Sequence, residues 1–138
     1  MSWITRTNYF EVNDEKAFLE FMNNVYTNGE KVNIFKKKKD TRTLFGFGCY
    51  GCIDGYGEVN YDEQEETYEE FINALQKYIK DKDAAIIIEI LHDKLRYVRG
   101  CITVVTNKKC RCQTTDEIAI KYARELLNDY SFDTEMSY

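Results

Sequence analysis

The chain has 138 residues, of which 43% are hydrophobic and 14% aromatic, and its formal net charge is −5. This composition is too rich in core-forming residues for a disordered chain, and the length suits one domain with one hydrophobic core. The apolar run at residues 84–88 is interrupted by Glu89 and is far too short for a membrane-spanning helix, so no contact with a membrane is expected.

The chain begins with a predicted strand and helix. Polar and apolar residues alternate over residues 3–12, which indicates a strand. Asn13 then has the side chain of a helix N-cap, and the residues after it have apolar positions on one helical face. The helix is expected to end near Gly29.

A hairpin follows, with one strand beginning at residues 32–35 and the next covering residues 41–53. Lysines 36–39 lie at its predicted tip, where they protect an edge strand from pairing with another chain. Residues 46–51 spell the GxGxxG pattern of dinucleotide-binding turns, but no helix follows that could hold a pyrophosphate. We therefore interpret these residues as a twisted strand rich in glycine and aromatic side chains.

The second half of the chain predicts a helix, three strands and a last helix, in that order. Capping-box spacings mark the starts of the two helices, at Thr67 and Thr114. The β-branched run at residues 84–91 is typical of a central strand buried on both faces, and His92 begins a predicted tight turn after it. The two further strands are predicted at residues 95–105 and 110–114.

The predicted order of elements is β-α-β-β-α-β-β-β-α, which is an extended form of the ferredoxin-like order. Each helix has one apolar stripe, so we expect all three helices on one face of a mostly antiparallel sheet of about six strands. The fold class is therefore α+β. We expect a single domain over residues 1–130 and a frayed acidic tail over residues 131–138.

The first residues lack the apolar core of an export signal, so we expect a cytoplasmic protein with reduced cysteines. The five cysteines are an odd number, which argues against a disulfide framework. Their alternative role is a zinc site of four thiolates from Cys49, Cys52, Cys110 and Cys112. The favoured interpretation is that they are small apolar strand residues, and no cofactor is expected.

The sequence contains no catalytic motif that supports an enzyme. His92 is the single histidine, and its neighbours in sequence include no nucleophile, so it is a better turn residue than a member of a catalytic triad. Nothing in the sequence indicates that two of the carboxylates form a catalytic acid–base pair. We therefore expect a binding protein that is not an enzyme.

Negative charge is concentrated in one part of the chain. Residues 44–76 contain eight Asp or Glu and no Lys or Arg, whereas the remainder is nearly balanced. The acidic segment of this part of the chain is residues 54–70. It predicts a protein partner with a basic surface and no direct binding of nucleic acid. The predicted partner-binding residues are Asp54, Glu58, Tyr61, Asp62, Glu63, Glu65, Glu66 and Glu69. A solvated surface that keeps the protein soluble is the alternative interpretation.

Residues 4–12 (Ile-Thr-Arg-Thr-Asn-Tyr-Phe-Glu-Val), with the capped helix after them, and residues 45–51 (Phe-Gly-Phe-Gly-Cys-Tyr-Gly) resemble small uncharacterised proteins of phages and mobile elements of low-GC bacteria. Some acidic proteins of such elements inhibit CRISPR nucleases and restriction enzymes by occupying their nucleic-acid sites. The resemblance implies an anti-CRISPR-like inhibitor of a basic target. The alternatives are an immunity or antitoxin-like protein that neutralises a nuclease toxin, and a small cysteine–zinc domain. The sequence predicts no oligomeric state.

Overall fold

A computed structural model describes residues 2–57 and 67–134. In these ranges the helices are α1 (Glu15–Asn23), α2 (Thr67–Leu75) and α3 (Thr115–Leu127). The strands are β1 (Ser2–Thr7), β2 (Val25–Thr27), β3 (Asn33–Lys39), β4 (Arg42–Cys49), β5 (Ile53–Tyr56), β6 (Ala85–Asp93), β7 (Tyr97–Val105) and β8 (Cys110–Thr114). None of the helices in the described ranges is long and apolar enough to span a membrane.

Six strands form one antiparallel sheet in the order β3-β4-β1-β6-β7-β8, and β2 pairs with β5 separately. The α+β class, the six-stranded sheet and the predicted order of elements are confirmed, with the short strands β2 and β5 added. The order β3-β4-β1-β6 is compatible with the expected ferredoxin-like arrangement. Lysines 36–39 lie along the edge strand β3 and not at the tip of its hairpin.

The hydrophobic core lies on one side of the sheet, against α1 and α2. Along β6, buried residues alternate strictly with exposed ones, because successive side chains of a strand point to opposite sides. We call the covered side the inner face and the other side the open face. The core joins inner-face strand residues to both helices, and its largest fully buried side chains include Phe18, Phe47, Phe71, Leu75 and Ile87.

The prediction that β6 is buried on both faces is wrong. Its inner-face residues are buried, whereas Ile86, Ile88 and Ile90 are exposed on the open face. A continuous run of β-branched residues has the same sequence pattern whether one or both faces are covered. His92 also lies on β6, and the chain turns after it at Lys94, whose φ is 53°.

Helix starts agree closely with the capping signals. Asp14, one residue after the predicted Asn13, is the N-cap of α1, and its carboxylate accepts a hydrogen bond from the Ala17 amide at 3.1 Å. The predicted capping box of α3 is confirmed. The Thr114 hydroxyl accepts from the Glu117 amide, and the Glu117 carboxylate accepts from the Thr114 amide, both at 3.2 Å.

The predicted tail at residues 131–138 is described only as far as residue 134. Its first part is attached to the last helix, because the carbonyl oxygen of Phe132 accepts a hydrogen bond from Arg124 Nε at 2.8 Å. Residues 135–138 lie outside the described residues.

Candidate binding surface

Most of the predicted partner-binding residues lie outside the described residues. These are Glu58, Tyr61, Asp62, Glu63, Glu65 and Glu66. Asp54 is half-buried on β5, and its carboxylate accepts a hydrogen bond from the thiol of Cys52 at 3.8 Å. Glu69 is exposed on α2. The acidic surface therefore stays a prediction.

The open face of the sheet is an apolar surface that remains largely exposed, although Thr115 of α3 packs over it at Gly100. Six of its isoleucine and valine side chains are 36–46% exposed, and these are Ile4, Ile86, Ile88, Ile90, Val98 and Val104. A helix or second sheet stacked on this face would bury them. The pairing confirms that they share one face, since Ile4 is opposite Ile90 in the ladder between β1 and β6.

This distribution differs from that of an ordinary solvated sheet. An antiparallel sheet with one face in water usually has polar residues at the outward positions. Here the outward residues of β6 are three isoleucines and His92. The exposed apolar patch is on the order of 400–500 Å², the size of the largest patch on many soluble monomers, and such patches are often functional. The open face is therefore a candidate binding surface.

Every charged strand residue on the open face is a cation or the titratable His92. Alternation along the paired strands places on this face the side chains of Arg6, Lys37, Lys39, Arg42 and Arg111. No Asp or Glu of the described strands points to it. Arg42 is paired with Glu11 at 3.1 Å beyond the sheet. An apolar centre with a polar rim is the usual anatomy of a protein interface.

Arg6 reaches across β4 because the two open-face positions of that strand nearest to it, Gly46 and Gly48, are glycines. The guanidinium carbon of Arg6 lies 4.0 Å from the centre of the Phe35 ring on β3, a cation–π contact. A Cβ atom at Gly48 would lie 3.4 Å from Cδ of Arg6. Gly46 and Gly48, which belong to the GxGxxG pattern, thus permit close packing within the sheet and fix a cation beside the apolar patch.

The last helix has a second apolar surface. The sequence predicts an apolar stripe over Ile118, Ala119, Tyr122, Ala123, Leu126, Leu127 and Tyr130, but α3 has no buried residue. A cleft of about 600 Å³ lies between α3 and the ends of β7 and β8. The exposed apolar residues, which we call the α3 stripe, are Tyr122, Leu126 and Leu127 of the helix and Tyr130 just after its end, each 59–88% exposed. Periodicity predicts an amphipathic helix but not the surface that covers it.

Glu89 is a buried carboxyl group on the inner face of β6, with 6% of its surface exposed. Its Oε2 atom accepts hydrogen bonds from the Thr5 hydroxyl at 3.0 Å and the Ile53 amide at 3.2 Å. Burial raises the pKa of Glu89, and hydrogen bonds from Ile53, Thr5 and Tyr68 oppose that rise. A lone charge at an inward position of an apolar strand is the sequence signal for such a group.

The contacts of Glu89 link three parts of the fold. Thr5 belongs to β1, Ile53 to β5 and Tyr68 to α2, and the Tyr68 hydroxyl also lies 3.0 Å from the hydroxyl of Thr103 on β7. Burial raises the pKa of Tyr68, so its hydroxyl stays protonated. The group therefore acts as a hydrogen-bonded connection within the core.

The structure does not bring together the four cysteines considered for zinc. Cys49 lies in β4, and Cys110 and Cys112 lie in β8, with three strands between them, a separation of roughly 19 Å at the usual strand spacing. Burial and the nearby Asp54 carboxylate raise the pKa of Cys52 to about 12, so it is a protonated thiol at neutral pH. Within the described ranges, no group of three or more His, Cys, Asp or Glu is placed to hold a metal ion.

Compared with known proteins, the chain matches no protein-family model, no curated protein and no solved structure. Its function is therefore inferred from the chemistry of its own surfaces.

Proposed function

We propose that this chain is a non-catalytic binding protein whose open face takes up an apolar segment of a partner protein that carries Asp or Glu beside its apolar residues. The observation that supports this most directly is the combination of outward isoleucine and valine with a cationic rim. Apolar contact supplies affinity, and the cations favour an acidic partner over a basic one.

Nucleic acid fits this surface less well than a protein does. Surfaces that bind single strands stack bases on exposed aromatic rings. The centre of the open face consists of isoleucine and valine, and the Phe35 ring is already in contact with the Arg6 guanidinium. The net charge of −5 also opposes long-range attraction to a polyanion.

Ile88→Glu should weaken partner binding at least about tenfold, because a carboxylate at the centre of the patch must be desolvated opposite an apolar, acidic segment. Partners are first captured from the native host with wild-type protein and identified by mass spectrometry. The dissociation constant is then measured by calorimetry with one purified partner.

Leu19→Glu is the matched control for this variant. Leu19 on α1 is 42% exposed and Ile88 is 41% exposed, so the same chemical change is made at the same exposure on a different surface. The control should bind like wild type. If Ile88→Glu leaves the affinity for the partner unchanged, the binding site lies elsewhere and this proposal is rejected.

The acidic segment supports a second proposal. Its carboxylates dock on the basic nucleic-acid groove of a defence enzyme, which makes the chain an anti-CRISPR-like inhibitor carried by a phage or mobile element. The support is the block of eight carboxylates in residues 44–76, together with the resemblance of residues 4–12 and 45–51. An immunity protein that neutralises a basic nuclease toxin would use the same acidic surface. A toxin gene beside the gene for this chain would favour that alternative over an anti-CRISPR-like inhibitor.

Charge reversal tests this second proposal. Changing four carboxylates to lysine should weaken inhibition of a CRISPR nuclease at least about tenfold, and wild-type binding should itself weaken between 50 and 500 mM NaCl because salt screens the attraction. The four residues are Glu63, Glu65, Glu66 and Glu69. The control reverses Glu15, Glu20, Glu30 and Asp133, which lie elsewhere in the chain. Equal inhibition by the two variants would reject the acidic segment as the binding site.

A further inference from the structure

The kind of segment that the open face should bind is present in the chain itself. The α3 stripe is apolar and exposed. At 3.6 residues per turn, Glu125 lies beside Tyr122 and Leu126, with Lys121 one turn before it, and Asp129 follows the left-handed C-cap Asn128 just after the helix ends. Asp129 is ionised at neutral pH, because hydrogen bonds from the Ser131 hydroxyl and amide lower its pKa. The C-terminal end of α3 thus combines an exposed apolar stripe with the carboxylates of Glu125 and Asp129.

The open face and the α3 stripe of one chain do not bury each other. α3 follows β8 directly, and its start is fixed by the capping box of Thr114. The Thr115 hydroxyl accepts a hydrogen bond from the Gly100 amide of β7 at 3.1 Å, and the Thr115 methyl group occupies the space into which a side chain at position 100 would point. Gly100 is opposite Ile90, so Thr115 lies on the open-face side of the sheet, but the isoleucine patch and the α3 stripe both remain exposed in a single copy.

We infer that a second copy of this chain covers the open face, with α3 of each copy lying on the isoleucine patch of the other. The inference rests on the proposed function, because it names one segment that the open face binds. Acidic residues of α3 then meet the cationic rim formed by Arg6, Lys37 and Arg111. A partner protein with a similar segment competes with α3 for the same surface.

The available area is sufficient for such a dimer. The open face and the α3 stripe together present on the order of 1,000 Å² of apolar side-chain surface per copy, and a standard interface buries roughly 800 Å² per partner. When the same two copies exchange their helices, a two-fold axis relates the two contacts and the assembly closes as a dimer. Neither apolar surface is then left in water.

The oligomeric state of the full chain tests the inference. In sedimentation equilibrium under reducing conditions, wild type at tens of micromolar should have twice the mass of one chain. Ile88→Glu places a carboxylate opposite the acidic helix, and Leu126→Lys places a cation opposite the cationic rim. Each variant should dissociate with a dimer constant at least about 100-fold weaker, whereas Leu19→Glu should remain dimeric.

An equimolar mixture of the two variants decides how the copies pair. In a mixed dimer, the unaltered α3 of the Ile88→Glu copy meets the unaltered face of the Leu126→Lys copy, and the two introduced charges attract each other at the other contact. The mixture should therefore recover the dimer. If α3 paired with α3, or face with face, mixing the two variants would not restore the dimer. A mixture that stays monomeric therefore overturns the inference.

The remaining outcomes separate the dimer from the proposed function. A wild type that is monomeric at 100 µM overturns the dimer, and the proposed function still stands if Ile88→Glu weakens partner binding. The other result overturns the proposed function alone. In it, the variants break the dimer and the mixture restores it, but Ile88→Glu leaves partner binding unchanged. Circular dichroism checks the fold of each variant. Ile90→Glu and Tyr122→Lys form the second pair if either of the first variants fails to fold.

Discussion

Glu89→Leu should lower the free energy of unfolding by about 1–3 kcal/mol, because it leaves the buried Ile53 amide without its acceptor. The Ile53 amide donates to Glu89 at 3.2 Å, whereas the Thr5 hydroxyl also lies 2.7 Å from the Gly51 carbonyl oxygen and keeps that acceptor. Leucine is close to glutamate in size, so it fills the volume but accepts no hydrogen bond. Urea unfolding followed by the fluorescence of Trp3, the single tryptophan, measures the change.

Glu89→Gln separates the hydrogen bonds from the charge. Glutamine still accepts from Ile53 and does not ionise, so it should cost less than Glu89→Leu. Burial raises the folded-state pKa of Glu89 above its unfolded value of about 4.3. Its contribution to stability is therefore fully present below that value and is lost as the pH rises through the folded-state pKa.

The free energy of unfolding of wild type should thus fall relative to the Glu89→Gln variant between pH 4 and pH 8. The fall amounts to about 1.4 kcal/mol for each unit by which folding raises the pKa. Parallel stability curves for the two proteins would show that the carboxyl group titrates equally in the folded and unfolded states. That result would contradict the proposed origin of the shift.

Phe71→Ala should lower the free energy of unfolding by about 3–5 kcal/mol, the cost of removing a large aromatic side chain from a closed core. Phe71 of α2 is fully buried. Its ring stacks on Phe21 of α1 at 5.7 Å and meets the edge of Phe47 of β4 at 6.1 Å. The substitution therefore opens a cavity where both helices meet the sheet. Urea unfolding measured by circular dichroism gives the change.

Two further variants check this explanation. Phe71→Leu keeps most of the volume and should cost roughly 1–2 kcal/mol. Tyr50→Ala removes an aromatic ring that is 65% exposed, and it should change stability by less than about 0.5 kcal/mol. A loss below 1 kcal/mol for Phe71→Ala would show that the core collapses around the missing ring.

The local elements were predictable because their signals are local. The capping box of Thr114 and Glu117 depends on residues three apart, and the helix begins where the sequence predicts it. The N-cap of α1 differs by one residue because Asn13 and Asp14 are equally good capping residues. Glu89 was visible in the sequence as a charge in an apolar run, but its partners Thr5 and Ile53 are distant in sequence and meet it only in the folded sheet.

The candidate binding surface was not predictable in the same way. Its residues come from strands that are far apart in sequence, and Arg6, Ile88 and Lys37 share a face only through the register of the sheet. The sequence instead predicted the acidic segment as the binding site, because a concentration of charged residues can be recognised without knowledge of the fold. Most of that segment lies outside the described residues, so its role stays a proposal.

By itself, the sequence determined the α+β class, the order of the elements and the concentration of negative charge in residues 44–76. Only the tertiary structure decided that β6 is covered on one side, that α3 leaves its stripe exposed and that cations surround the isoleucine patch. The physical reason is that alternation and helical periodicity specify which side chains point the same way. What covers those side chains depends on packing between elements that are distant in the chain.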